Sequence, residues 1–167
     1  MIEQVLSGGQ SGVDQAAWRA ARAAGIATGG WMPLGFATED GPRPEFEREF
    51  DARARDSSEY AERTIANVRD ADAVLVIAGD HCGAGVRLTI ETCRALARPY
   101  RVVDPDELAS EQSAREAATW IEHVGARRLN VAGDRASTLP GIGSRAEAFL
   151  AAVFRALVPR TGTGQQQ

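Results

Sequence analysis

The chain has 167 residues, of which 44% are apolar, 25% charged and 6% aromatic. That composition suits one folded domain and excludes a disordered chain or a repeat array. Its 23 acidic and 19 basic residues leave a formal charge of -4, so no overall field draws it to nucleic acid or an anionic membrane, and a small ligand is expected instead of a polymer.

In chain order, five short apolar runs at residues 4–7, 26–31, 73–78, 100–104 and 128–132 have the length expected of buried parallel strands. Between and after them, residues 13–24, 58–70, 86–97, 112–124 and 144–157 repeat apolar side chains near the helical period. This alternation predicts an α/β fold: a doubly wound, mainly parallel sheet of about five strands with helices on both faces, formed by residues 1–158. Residues 34–56, which contain Gly41-Pro42-Arg43-Pro44, read as a long loop and a candidate lid. The polar residues 159–167 are expected to fray. No stretch approaches the roughly 20 apolar residues of a membrane helix, and Met1-Ile2-Glu3-Gln4 lacks a secretion-signal pattern, so a cytoplasmic location is expected.

The first motif, Ser7-Gly8-Gly9-Gln10-Ser11-Gly12-Val13-Asp14, leaves a strand and opens a helix, with Ser11 and Asp14 spaced as a capping box. Glycines let backbone approach an anion, and free amides at a helix start favour it, although such turns also occur for tightness alone. The second strand ends Gly29-Gly30-Trp31-Met32-Pro33 without the acidic residue that would hold a ribose, which disfavours NAD. In the helix from Ser58, Ala61, Ile65 and Val68 form an apolar face. Beside it Tyr60, Arg63, Thr64 and Asn67 recur at i, i+3, i+4 and i+7, which suits either the wall of a polar pocket or a solvated face with Arg63 paired to Glu59 or Glu62.

A second Gly-rich turn, Gly79-Asp80-His81-Cys82-Gly83-Ala84-Gly85, follows the third strand. Two such turns imply that strands one and three are neighbours with a pocket between their carboxyl ends. In the next helix Val86, Thr89, Ile90, Cys93 and Ala97 share the sheet-facing arc, whereas Glu91 falls outside it, as a surface carboxylate would. Cys93 reads as a core thiol and Cys82 as a loop thiol; their spacing suits no metal. All the basic residues are Arg, which rules out a Schiff-base lysine. In the last strand Asn130 needs a partner, and Arg135 beyond its end could reach a phosphate.

The motifs from Ser7 to Asp14, Gly29 to Gly35, Glu39 to Pro42, Tyr60 to Val68, Leu88 to Glu91 and Asn130 to Gly133, taken as an ordered series over nearly the whole chain, resemble the family of molybdenum carrier proteins. That family lies within the SLOG-type, Rossmann-like nucleotide-binding domains, which also include the lonely-guy phosphoribohydrolases. The resemblance implies a carrier of molybdenum cofactor, or of a related phosphorylated pterin or nucleotide, that assembles as a homo-oligomer. The ligand contacts it implies are Gly8, Gly9, Gln10, Ser11, Gly12, Gly30, Trp31, Tyr60, Arg63, Thr64, Asn67, Gly83, Gly85, Val86, Thr89 and Arg135. It also implies a place for Glu91 at the pocket, as the catalytic carboxylate of a nucleoside monophosphate phosphoribohydrolase, and a signalling-nucleotide sensor would use the same pocket. One departure stands out: where the family's second turn usually supplies a Thr hydroxyl, this chain has Val86.

Overall fold

The computed structural model describes residues 1–157, so the expected frayed end lies outside the described residues. Six parallel strands form the main sheet: β1 (Gln4–Leu6), β2 (Ala27–Met32), β5 (Ala52–Ala54), β6 (Ala73–Ile77), β7 (Tyr100–Val103) and β8 (Arg128–Gly133). β3 (Ala37–Thr38) and β4 (Gly41–Pro42) make a separate small hairpin. The helices are α1 (Val13–Ala23), α2 (Phe46–Phe50), α3 (Tyr60–Asp70), α4 (Ala84–Ala95), α5 (Glu111–His123) and α6 (Ile142–Leu157). The α/β fold therefore stands, with one more strand in the sheet than the apolar runs suggested.

The sheet order is β5-β2-β1-β8-β6-β7, and this corrects the expected neighbourhood of the two Gly-rich turns. The chain builds outward from β1 through β2 to β5, crosses to β6 and β7, and returns to insert β8 between β1 and β6. Gln4 of β1 aligns with Arg128 of β8, and Ala73 of β6 with Leu129. The turns after β1 and β6 thus stand one strand apart.

Two apolar layers hold the sheet. On one face Val5, Leu75, Ile77, Leu129 and Val131 pack against the buried stripes of α1, α5 and α6. On the other, Val74 and Val76 meet Val68 of α3 with Val86 and Cys93 of α4. Burial pushes the Cys93 thiol up to about 11, so it stays protonated. Iodoacetamide is therefore expected to label half-buried Cys82 in the native protein and to reach Cys93 only after unfolding. Mass mapping checks this, and labelling of native Cys93 would contradict its burial.

Residues 34–56 are not the open loop their composition suggested. They hold a short 3-10 turn (Leu34–Phe36), the β3–β4 hairpin, α2 and β5. Phe46 and Phe50, one helical turn apart on α2, clamp fully buried Trp18: Phe50 stacks at 4.9 Å and Phe46 meets it edge-on at 5.6 Å. The indole N–H of Trp18 donates to Gly29 O at 2.9 Å, which ties α1, α2 and β2 together.

Candidate functional site

The turn after β1 is filled by the protein itself. Gly12, at φ 83°, occupies the position before α1 and contributes no side-chain cap, so the expected Ser11–Asp14 capping box does not form. Val13 N donates instead to Asp134 O at 3.2 Å. The Asp14 carboxylate turns back into the loop, where Oδ2 accepts from Gln10 N and from Arg63 Nη1, each at 3.2 Å. An anion already sits on this turn, and it is a side chain.

Arg63 reaches Asp14 from α3 because Gly8 lies in its path: a Cβ there would fall 1.4 Å from Nη1. The polar stripe of α3 therefore faces inward. Arg63 is only 8% exposed and Thr64 and Asn67 are buried, while Ile65 is 41% exposed. Of the apolar face Ala61, Ile65 and Val68 only Val68 is buried, and the solvated alternative for Arg63 is corrected. Burial pushes the Asp14 carboxyl above its ordinary value, and the Arg63 charge only partly opposes this.

Beside this pair lies a cavity of about 290 Å³ at the carboxyl end of β8. Gln10 and Asp14 come to it from the β1–α1 turn, and Arg63 and Thr64 from α3. Gly83, Ala84, Gly85 and Val86 come from the start of α4, with Thr89 one turn on. The end of β8 and the following turn supply the rest, Asp134, Arg135, Ser137 and Thr138 among them. Both Gly-rich turns therefore border one cavity, although a strand separates them. Asp134, Ser137 and Thr138 had no signal in the sequence beyond following a strand end.

The glycines of the two turns differ in kind. A Cβ at Gly9 would strike Met32 and one at Gly12 would lie 2.4 Å from Asp134 O; Gly30 of β2 is confined in the same way, with a Cβ there 2.1 Å from Ser7 O. At Gly83 and Gly85 a Cβ would meet nothing within 4 Å, and neither residue has a positive φ. Packing and backbone conformation account for the first set only. The start of α4 is also electrostatically open, because it has no side-chain cap and no acidic residue in its first turn. Val86 N and Arg87 N fold back onto Gly83 O, while Ala84 N and Gly85 N have no partner among the described residues.

Several buried polar atoms around the cavity lack partners: Gln10 Nε2, Arg63 Nε, Asn130 Oδ1 and Asp134 Oδ1. The other oxygen of Asp134 accepts from Gly79 N at 3.0 Å. Beneath the cavity, Gly8, Asn67, Thr89 and Asn130 border a void of about 10 Å³, close to one water-sized sphere. The rings and cations are ordered too, since Arg63 and Arg135 lie 5.8 and 5.3 Å from the ring centre of Tyr60.

Other expected contacts lie elsewhere. Gly30 and Trp31 border a separate groove of about 200 Å³ with Gln4 and Arg53. Asn67 serves there as a strand substitute, with its Oδ1 accepting from Trp31 N at 2.8 Å and its Nδ2 donating to Trp31 O at 2.9 Å. Ser11 Oγ donates to Glu39 of the β3–β4 hairpin and accepts from Ala136 N. Glu91 is exposed and does not line the cavity, which gives a catalytic role for it no support. Among the described residues no group of three or more His, Cys, Asp or Glu could hold a metal ion, and no helix is long and apolar enough to cross a membrane.

Comparison with known proteins places this arrangement. The chain is similar to a protein of Syntrophus aciditrophicus SB whose crystal structure is titled "Putative molybdenum carrier protein", with 32% sequence identity, a TM-score of 0.84, and coverage of 91% of this chain and 94% of that one. No curated protein matches. Residues 5–154 match the model of the circularly permutated YpsA SLOG family. That match covers nearly all the described residues: the chain belongs to the circularly permutated YpsA SLOG family.

Proposed function

We propose that the protein binds a small phosphorylated ligand, nucleotide-like or pterin-like, in the cavity at the end of β8, with a phosphate on the amides of Ala84 and Gly85. Molybdenum cofactor is the cargo favoured by the likeness to the Syntrophus protein. The observation that carries the reading is the open space at Gly83 and Gly85, two glycines that neither φ nor internal packing requires. An uncapped helix start holds oxyanions through its free N–H groups and its dipole. Arg135, which lines the cavity, supplies countercharge, and Arg can bind phosphate with a planar pair of donors.

The residues fit such a group. The seat at α4 would take its phosphate, while the unpaired Gln10 Nε2 and Asp134 Oδ1 offer a donor and an acceptor to a polar heterocycle. The Asp14 carboxylate favours α4 over α1 as the phosphate seat, because it already holds the amide of Gln10 and Nη1 of Arg63. This reading is one of binding and requires no broken bond.

Purification from cells active in cofactor synthesis, with molybdenum analysis and fluorescence of the oxidised pterin, tests the cargo. Titration with inorganic phosphate tests the seat. Gly85→Val is expected to weaken phosphate binding by about tenfold or more while leaving stability within roughly 0.5 kcal/mol, since it fills only open space. Phosphate binding without pterin would replace the cargo and keep the seat. Phosphate affinity indifferent to Gly85→Val would overturn the seat itself.

A further inference from the structure

Glu39 joins the β3–β4 hairpin to the body of the protein through its carboxylate and its backbone amide. Both oxygens of Glu39 are engaged: Ser11 Oγ donates to one, which also accepts from Ser137 N at 3.3 Å, and Ser137 Oγ donates to the other at 2.5 Å. Ala136 N donates to Ser11 Oγ at 3.2 Å, which leaves the hydroxyl proton of Ser11 to point at the carboxylate. Partial burial opposes ionisation of Glu39, but the hydrogen bonds from Ser11 and Ser137 and the Arg135 charge outweigh it and hold the carboxyl below its usual range.

This donor set adjoins the cavity. Ser137, Arg135 and Gln10 line it, and Gln10 spans the two regions: its Oε1 accepts from Glu39 N at 3.1 Å, while its Nε2 is buried and unpaired. Arg135 makes no ion pair among the described residues and leans over Tyr60 at 5.3 Å. Two hydroxyls, an amide and a nearby guanidinium are donors that phosphate oxygens accept as readily as a carboxylate does. Glu39 is an exposed side chain on a short hairpin, so water can receive its carboxylate if another anion takes its place.

We propose that Ser11, whose hydroxyl Ala136 N orients, and Ser137 form a second anion seat, filled here by the protein's own Glu39, and that the natural ligand carries two anionic groups, as a diphosphate does. The first group rests on the seat proposed at α4. The second displaces Glu39, lies beside Arg135, and frees the hairpin from the cavity rim.

Calorimetric titration of the full chain with inorganic phosphate and with pyrophosphate tests this. Glu39→Ala is expected to raise the ratio of pyrophosphate to phosphate affinity by about tenfold, and addition of Ser137→Ala should abolish the gain. Asp40→Asn removes the same charge from the hairpin tip and is expected to leave the ratio unchanged, which separates an emptied seat from a general loss of repulsion. An unchanged ratio in Glu39→Ala, an equal gain in Asp40→Asn, or no pyrophosphate binding by any variant overturns the proposal. Sensitivity to Glu39→Ala without sensitivity to Gly85→Val would sink the seat at α4 and spare this one; the reverse pattern does the opposite.

Discussion

Arg63→Ala is expected to destabilise the protein by about 3–5 kcal/mol, because it strips the partner from a carboxylate that stays buried. Asp14 and Arg63 come from segments 49 residues apart, and their side chains are 6% and 10% exposed. Removing Arg63 also leaves a hollow against Gly8. The pH dependence follows from the direction of the Asp14 shift. A carboxyl raised above its unfolded value of 3.8 contributes most to stability below that value, and the contribution fades as pH rises through the folded one. Without Arg63 the lowering charge is gone, so the folded value climbs further. The deficit of the variant should therefore shrink in mild acid and grow toward alkaline pH. Denaturant midpoints at about pH 5 and pH 8 read this directly, and Asp14→Asn added to Arg63→Ala should recover part of the loss. A deficit that ignores pH would mean that packing, not charge, holds Arg63.

The second large effect is expected at Gly30. At φ 130°, a methyl group there would sit 2.1 Å from Ser7 O, 2.7 Å from Ser7 N and 3.0 Å from Asn67 Oδ1. It would wedge β1 from β2 and push away the amide that holds Trp31 N. Backbone strain and overpacking together predict a loss of about 2–6 kcal/mol for Gly30→Ala, or a fall in Tm of roughly 5–20 °C in a chain of this size. Gly85→Ala provides the contrast, since its methyl enters open space and Ala is the better helix former. Its Tm should be unchanged or higher. Scanning calorimetry on the pair separates glycines that serve packing from those that leave room, and a mild effect at Gly30 would refute the close approach.

Much of the architecture was written in local pattern. Strands β1, β2, β6, β7 and β8 and all the longer helices follow apolar runs and helical spacing, and the stripe Tyr60, Arg63, Thr64 and Asn67 was visible as a face of its own. Its direction was not. Apolar residues are presumed to turn inward, and here Ile65 faces out because Asp14 and Trp31 supply the partners that draw Arg63 and Asn67 in. Strands β3, β4 and β5 span only two or three residues, too few to show an alternation. Asp14 was readable as part of a helix start, but its pairing with Arg63 is a long-range choice that spacing does not encode. The same holds for Glu39, whose partners Ser11 and Ser137 lie 28 and 98 residues away. Strand order is likewise global: nothing within residues 128–133 announces that β8 fits beside β1.

That placement of β8 bears on how the molecule comes into being. Until this strand docks, β1 and β6 present bare, unpaired edges on either side of a gap. A nascent chain that lacks β8 is thus two half-sheets that can recruit strangers, so chaperone demand and aggregation should track the arrival of residues 128–133. Ligand affinity should emerge at the same moment, since the residues that follow β8 line the cavity.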